Sequence, residues 1–230
     1  MREWLTNLLL SLPAILIALS VHECAHAWMA YKLGDPTARN FGRMTLNPLK
    51  HLDPFGVICM IVAGFGWARP VPVQSRNLRN PKRDKALISL AGPVSNIILA
   101  FIGLLVLKII SALGEPLIYI LITADPSSFE FIAVQMLFSF LMLFCHLNAG
   151  LAVFNLLPIP PLDGSHLLAL ILPPRFYASR IYDLYLDYER YISFGFMLLI
   201  VFGALDTPLY YMRGYLLTGL EWIIDLIPFL

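Results

Sequence analysis

The densest chemistry in the chain lies in five consecutive residues. His22-Glu23-Cys24-Ala25-His26 reads HExxH and sits in the last third of a long apolar run. On an α-helix, positions i and i+4 share a face with Cβ atoms about 5–6 Å apart. Two imidazoles so placed can bind one Zn²⁺, and Glu23 is close enough to act on a water held by that metal. In a soluble protein, two core histidines and an ion-pairing glutamate would be an ordinary alternative. Inside a bilayer a charged group costs roughly 2.5–3.5 kcal/mol at the midplane. The run from Leu5 to Tyr31 holds no Arg or Lys to pair with Glu23. The metal reading is therefore preferred.

A catalytic zinc takes three protein ligands and one water, so the two histidines need a third donor. The remaining histidines are His51, His146 and His166, and carboxylates near apolar runs are scarce. Asp163 stands out, at the end of Asn155-Leu156-Leu157-Pro158-Ile159-Pro160-Pro161-Leu162-Asp163-Gly164. Three prolines in four positions cannot continue a helix. Irregular backbone at membrane depth is tolerated only beside protein or a water-filled cavity, which a hydrolase buried in lipid requires. Taken alone, Asp163 reads as a cap for a helix starting near Ser165; beside HExxH it reads as a ligand. His146 lies 17 residues earlier, about 25 Å up a helix, and reads as a polar core partner. His51 belongs to a basic loop, and His166 to the short helix after Gly164. Cys24, Cys59 and Cys145 are odd in number and show no CxxC spacing, so they read as apolar packing residues rather than zinc thiolates or disulfides.

The elements that must carry these residues follow from composition. Of 230 residues, 59% are hydrophobic and 13% charged, with a mean hydropathy of +0.75. Soluble domains carry about 25% charged residues, so disorder, nucleic-acid binding and an ordinary cytosolic enzyme are excluded. The net charge of +1 identifies no partner. The expected fold is an all-α polytopic membrane protein, one domain over 1–230, with about four to six spans at roughly 20 residues each. Spans are expected at Leu5–Tyr31, Ala86–Ile110, Phe129–Leu157 and, short, Tyr191–Leu205. The first lacks a signal-peptide pattern and reads as retained. Thr207–Leu230 is an interfacial helix or a fifth span. Phe55–Ala68 is apolar but short, hence re-entrant or interfacial, and Gly64 and Gly66 favour strand or loop there, so that a re-entrant or β-hairpin segment follows the first span, with an edge that could take an extended substrate. Ser111–Ser128 reads as a loop. Of the 16 basic residues, ten fall between Lys32 and Lys85, three more are Arg175, Arg180 and Arg190, and the 111–128 stretch has none. The basic regions therefore face the cytoplasm, provided Phe55–Ala68 does not cross.

HECAH, then Ala91-Gly92-Pro93-Val94-Ser95-Asn96, then the block from Asn155 to Gly164 resemble the site-2 protease family of intramembrane zinc metalloproteases, in that order and one block per core span. Gly42-Arg43-Met44-Thr45-Leu46-Asn47-Pro48, followed by His51 and Asp53, is also similar to the family's segment after the first motif. The resemblance covers about residues 15–170. It implies one Zn²⁺ held by His22, His26 and Asp163, with Glu23 as catalytic base, and roles for Asn96 and Asn155 near the substrate or oxyanion. From the residues alone, Asn96 serves equally well as interhelical glue or substrate contact, Asn155 leans to function, and Asn148 reads as glue. The implied substrates are membrane proteins cleaved in or near a transmembrane segment; the implied home is a prokaryotic inner membrane, with the site toward the cytoplasm. The chain resembles a short form, with no span before the HExxH helix and no room for a PDZ-like insertion. A lipid-modifying metal hydrolase would need a polar headgroup pocket, and no cluster of Arg lies inside the spans. A transporter would tend to show paired halves, and none is visible.

Overall fold

A computed structural model describes residues 2–63, 66–173 and 180–227. Helix α1 (Arg2–Lys32) carries HExxH and ends on a basic residue. A one-turn helix α2 (Thr37–Asn40) and α3 (Pro54–Ala63) follow. Helix α4 (Pro81–Leu113) starts at a reciprocal cap: the Asn80 side chain accepts from Arg83 N, Pro81 takes the first turn, and Asn80 N donates to Asp84 Oδ2 at 2.8 Å. Such a cap satisfies amides that have no partner within the helix. Then come α5 (Glu115–Thr123), α6 (Phe129–Asn155), capped by Ser128 from Phe131 N, and α7 (Gly164–Ile171). The chain closes with α8 (Arg180–Asp187), α9 (Glu189–Val201) and α10 (Asp206–Asp225).

Among the described residues, three helices are long and apolar enough to cross a membrane: Leu9–Lys32 of α1, Pro81–Ala112 of α4 and Phe129–Asn155 of α6. Helices α9 and α10 meet at 86° and make a fourth only as one broken span. The protein is thus an integral membrane protein, all-helical among the described residues, with three candidate spans, or four with the broken pair, against the four to six expected. The proposed separate span at Tyr191–Leu205 is the 13-residue α9, about 20 Å long and too short to cross alone. Helix α10 packs on α4 and α6, with Leu217, Leu220 and Ile224 buried against Ala100, Leu104, Cys145 and Ala149. Small residues hold the helices close, as lipid-embedded packing favours: Ala14, Ala18, Ala27, Ala100, Ala149 and Ala152 are wholly buried. Cys145 is buried in this core and all three cysteines are free, as expected.

Two local expectations are corrected. Phe55–Ala68 is not a strand: Pro54–Ala63 is helical, and no extended strand occurs among the described residues, which exclude 64 and 65. The cause is the Asp53-Pro54 start. Asp53 Oδ1 accepts from Gly56 N at 2.9 Å and Asp53 O from Val57 N at 2.9 Å, and proline suits a first helical position. The ends of the segment meet in an isolated antiparallel bridge, Leu52–Ala68, with Arg69 N donating to His51 O at 2.7 Å. The chain therefore comes back to the place it left. The 111–128 stretch holds helix α5 rather than being loop throughout, because Pro116 falls in its first turn.

Asp35, fully buried after α1, ties that helix end to the approach to α4. It accepts from Thr37 N at 3.0 Å, Gln74 N at 2.6 Å and Asn77 Nδ2 at 2.7 Å. Burial alone would raise its carboxyl; the Thr37 hydroxyl, which also donates to Oδ1, and these donors together hold it below the ordinary value.

Candidate metal centre

One turn of α1 presents His22 and His26, both buried, with Nε2 atoms 3.0 Å apart. Asp163 Oδ2 lies 3.2 Å from each Nε2. Among the described residues these three side chains form the one group of His, Cys, Asp or Glu able to hold a metal.

Each ring is turned from behind. His26 Nδ1 donates to Ile88 O at 2.7 Å, in α4. A backbone carbonyl can only accept, so the proton is on Nδ1. His22 Nδ1 lies 2.6 Å from Asn96 Oδ1. Asn96 Nδ2 is committed to Ala18 O at 3.3 Å and Asn148 Oδ1 at 2.9 Å, so its oxygen faces the ring and accepts. With Nδ1 of both rings donating, the neutral form of each ring presents the Nε2 lone pair to the other and to Asp163 Oδ2, a buried atom with no other partner among the described residues. Three atoms able to give an electron pair converge there, an arrangement that a cation resolves. Donors about 2.0–2.1 Å from a tetrahedral zinc stand roughly 3.3 Å apart, close to the separations here. Orienting partners on the far ring nitrogen are the usual support of metal-ligating histidines.

Two glycines make room for this centre. Gly92 of α4 packs against the rings: a Cβ there would stand 2.4 Å from His26 Nε2 and 2.6 Å from His22 Nε2. Gly164 lets the chain fold back on the end of α6, where a Cβ would stand 2.3 Å from Leu156 O and from Leu157 O. Asp163 occupies the N-cap position of α7, yet makes no capping hydrogen bond; its carboxylate faces the histidines instead.

The other sequence candidates are placed elsewhere. His51 is buried in its loop, with Nε2 donating to Thr45 O at 2.7 Å. His146 Nδ1 donates to Met142 O in its own helix at 2.8 Å. His166, exposed on α7, is outside the metal-capable group. Asn155 Nδ2 donates to Leu151 O at 3.0 Å and is not hydrogen-bonded to the triad. Glu23 is buried at 8% exposure beside His22. Sequence reasoning assigned no part to Gly92 or Ile88. A Gly-Pro pair inside an apolar span was the signal for the first; a backbone carbonyl leaves none.

The fold and this centre define an integral membrane protein with a His₂-Asp group, built on HExxH, able to hold a metal. More particularly, the chain belongs to peptidase family M50, the site-2 protease family, whose model matches residues 11–200. It is 40% identical over 212 residues to "Putative zinc metalloprotease YwhC" of Bacillus subtilis (strain 168), covering 92% of this chain and 88% of that one. It is 33% identical over 155 residues to "Putative zinc metalloprotease Rip2" of Mycolicibacterium smegmatis, covering 65% of this chain and 52% of that one. No solved structure matches the chain. The resemblance read from the three sequence blocks is borne out.

Proposed function

We propose that this protein is a zinc endopeptidase that hydrolyses peptide bonds in or near transmembrane segments of membrane-protein substrates. In this reading His22, His26 and Asp163 hold one zinc, and Glu23 is the general base. The observation that carries it is the convergence of two oriented Nε2 atoms and an orphaned carboxylate oxygen at 3.0–3.2 Å, next in sequence to a buried glutamate. A bound zinc lowers the pKa of water to about 7 and polarises a carbonyl. Glu23 takes the proton of the attacking water and delivers it to the leaving amine. Asp163 and the two rings supply donors, and Asn96 and Ile88 O hold the rings in register. Every polar atom of Asn96 is engaged, which favours support of His22 over substrate contact. Asn155, near the Asp163 turn, is the candidate for the substrate or oxyanion side.

The whole of 1–230 acts as one domain in this proposal, in a prokaryotic inner membrane, with the centre toward the cytoplasm. The basic 32–85 stretch and the return of the chain at Leu52–Ala68 support that orientation. The test is Glu23→Gln in purified protein with a single-span substrate. Cleavage is expected to vanish while about one zinc per chain is retained; full activity of the variant, or a folded protein that binds no zinc, refutes the assignment.

A further inference from the structure

Behind the candidate ligands lies a series of buried amides that runs from α6 to His22. Asn148, fully buried on α6, donates from Nδ2 to Phe144 O at 2.9 Å. Its Oδ1 then accepts from Asn96 Nδ2 at 2.9 Å, and Asn96 Oδ1 accepts from His22 Nδ1 at 2.6 Å. The series starts at a backbone carbonyl, which cannot donate, so every bond along it has one direction. An asparagine amide can otherwise sit either way round. Reversed, Asn96 would offer an N–H to His22 Nδ1 and force the ring proton onto Nε2, the atom that must keep its lone pair. Two acceptors oppose that reversal. Ala18 O, at 3.3 Å, is beyond the usual range for a good N–H···O bond. Asn148 Oδ1 is the closer of the two, and its own orientation is set by Phe144 O.

We propose that Asn148 is a positioning residue of the metal centre: acting through Asn96, it holds the His22 proton on Nδ1 and so presents Nε2 to the metal. This rests on the zinc reading of His22, His26 and Asp163. A residue that served only as glue between α4 and α6 could be replaced by any side chain of similar volume without changing the ring. A positioning residue is sensitive to the direction of its hydrogen bonds. Each of the three crossing spans contributes one member, His22, Asn96 or Asn148, so the tautomer of a histidine on α1 depends on α6.

The experiment uses full-length protein in detergent or nanodiscs with two readouts. One is the tautomer of His22 in metal-free protein, from ¹⁵N-histidine NMR assigned by comparison with a His22 variant. The other is zinc affinity by competition with a chromophoric chelator. Asn148→Leu, close in volume, is expected to mix the His22 tautomers and weaken zinc about five- to tenfold, somewhat less than the 10–100-fold typical of a direct partner of a ligand. Asn148→Asp, whose acid form reproduces both bonds, is expected to restore both readouts to within about twofold. Asn148→Ser, whose hydroxyl can bond Phe144 O but falls short of Asn96, carries the same expectation as Leu and stands in for it if Leu does not fold. An unchanged tautomer and affinity in Asn148→Leu or Ser overturns the proposal. So do equal losses in Leu and Asp, which mark a packing role. If wild-type protein binds no zinc, the zinc reading fails, while the tautomer comparison still decides whether Asn148 controls the ring.

Discussion

At the scale of single residues, the centre makes sharp demands on Asp163 and Gly92. Asp163→Ala removes one of three donors and leaves two rings facing an empty position. Zinc affinity is expected to fall at least tenfold and activity to disappear, whereas His146→Ala, bonded only within its own helix, leaves both nearly intact. Zinc titration of the two variants checks this; the reverse pattern would mean the centre is drawn around the wrong residues. Gly92→Ala adds only a methyl group and raises helix propensity, yet that methyl falls 2.4 Å from His26 Nε2 and 2.6 Å from His22 Nε2. The rings must move off the position shared with Asp163. The expected result is a helical, folded protein whose zinc affinity is lower by tenfold or more, measured beside circular dichroism to show that the fold persists.

At the scale of elements, α3 and the turns around it decide how the chain threads the bilayer. Ten residues of α3 reach about 15 Å, half of the roughly 30 Å hydrocarbon core, and the Leu52–Ala68 bridge returns the chain to its starting side. With the basic residues of 32–85 on one face, positions 79 and 180 are expected in the cytoplasm and position 124 outside. Single cysteines at these sites in a cysteine-free background, labelled with an impermeant maleimide, report the sides directly. Labelling of position 79 from outside would mean that α3 crosses and that the orientation is inverted. The sequence already marked this segment as too short to span. Gly64 and Gly66 favour strand or loop, but Asp53-Pro54 upstream supplies a cap and a first turn that start a helix. In the 111–128 stretch, Pro116 is a first-turn proline of α5 and not a helix breaker.

At the scale of the whole molecule, a metal held as proposed by α1 and by the turn after α6 would join parts far apart in sequence, so its removal would be felt by the entire bundle. At free zinc 100 times the dissociation constant, binding stabilises the folded state by about 2.7 kcal/mol, or roughly 5–10 °C in midpoint for a chain of this length. Chelation is expected to lower the thermal midpoint by that amount and zinc to restore it, with no such response in Asp163→Ala. An identical response in that variant would place the stabilising metal elsewhere. What the sequence alone determined is local or additive: three spans from runs of apolar residues, and the candidate group His22, Glu23 and His26 from a spacing that one helical turn brings together. The choice of Asp163 was legible because so few donors were available, and the three-block resemblance agreed with it. Tertiary structure alone decided the remainder, because contact between α1, α4 and α6 is set by small residues that let helices approach, and such residues carry no chemical signature. Only that packing sets Ile88 O behind His26, places Asn96 and Asn148 in line behind His22, and brings Asp163, 137 positions after His26, to within 3.2 Å of both rings.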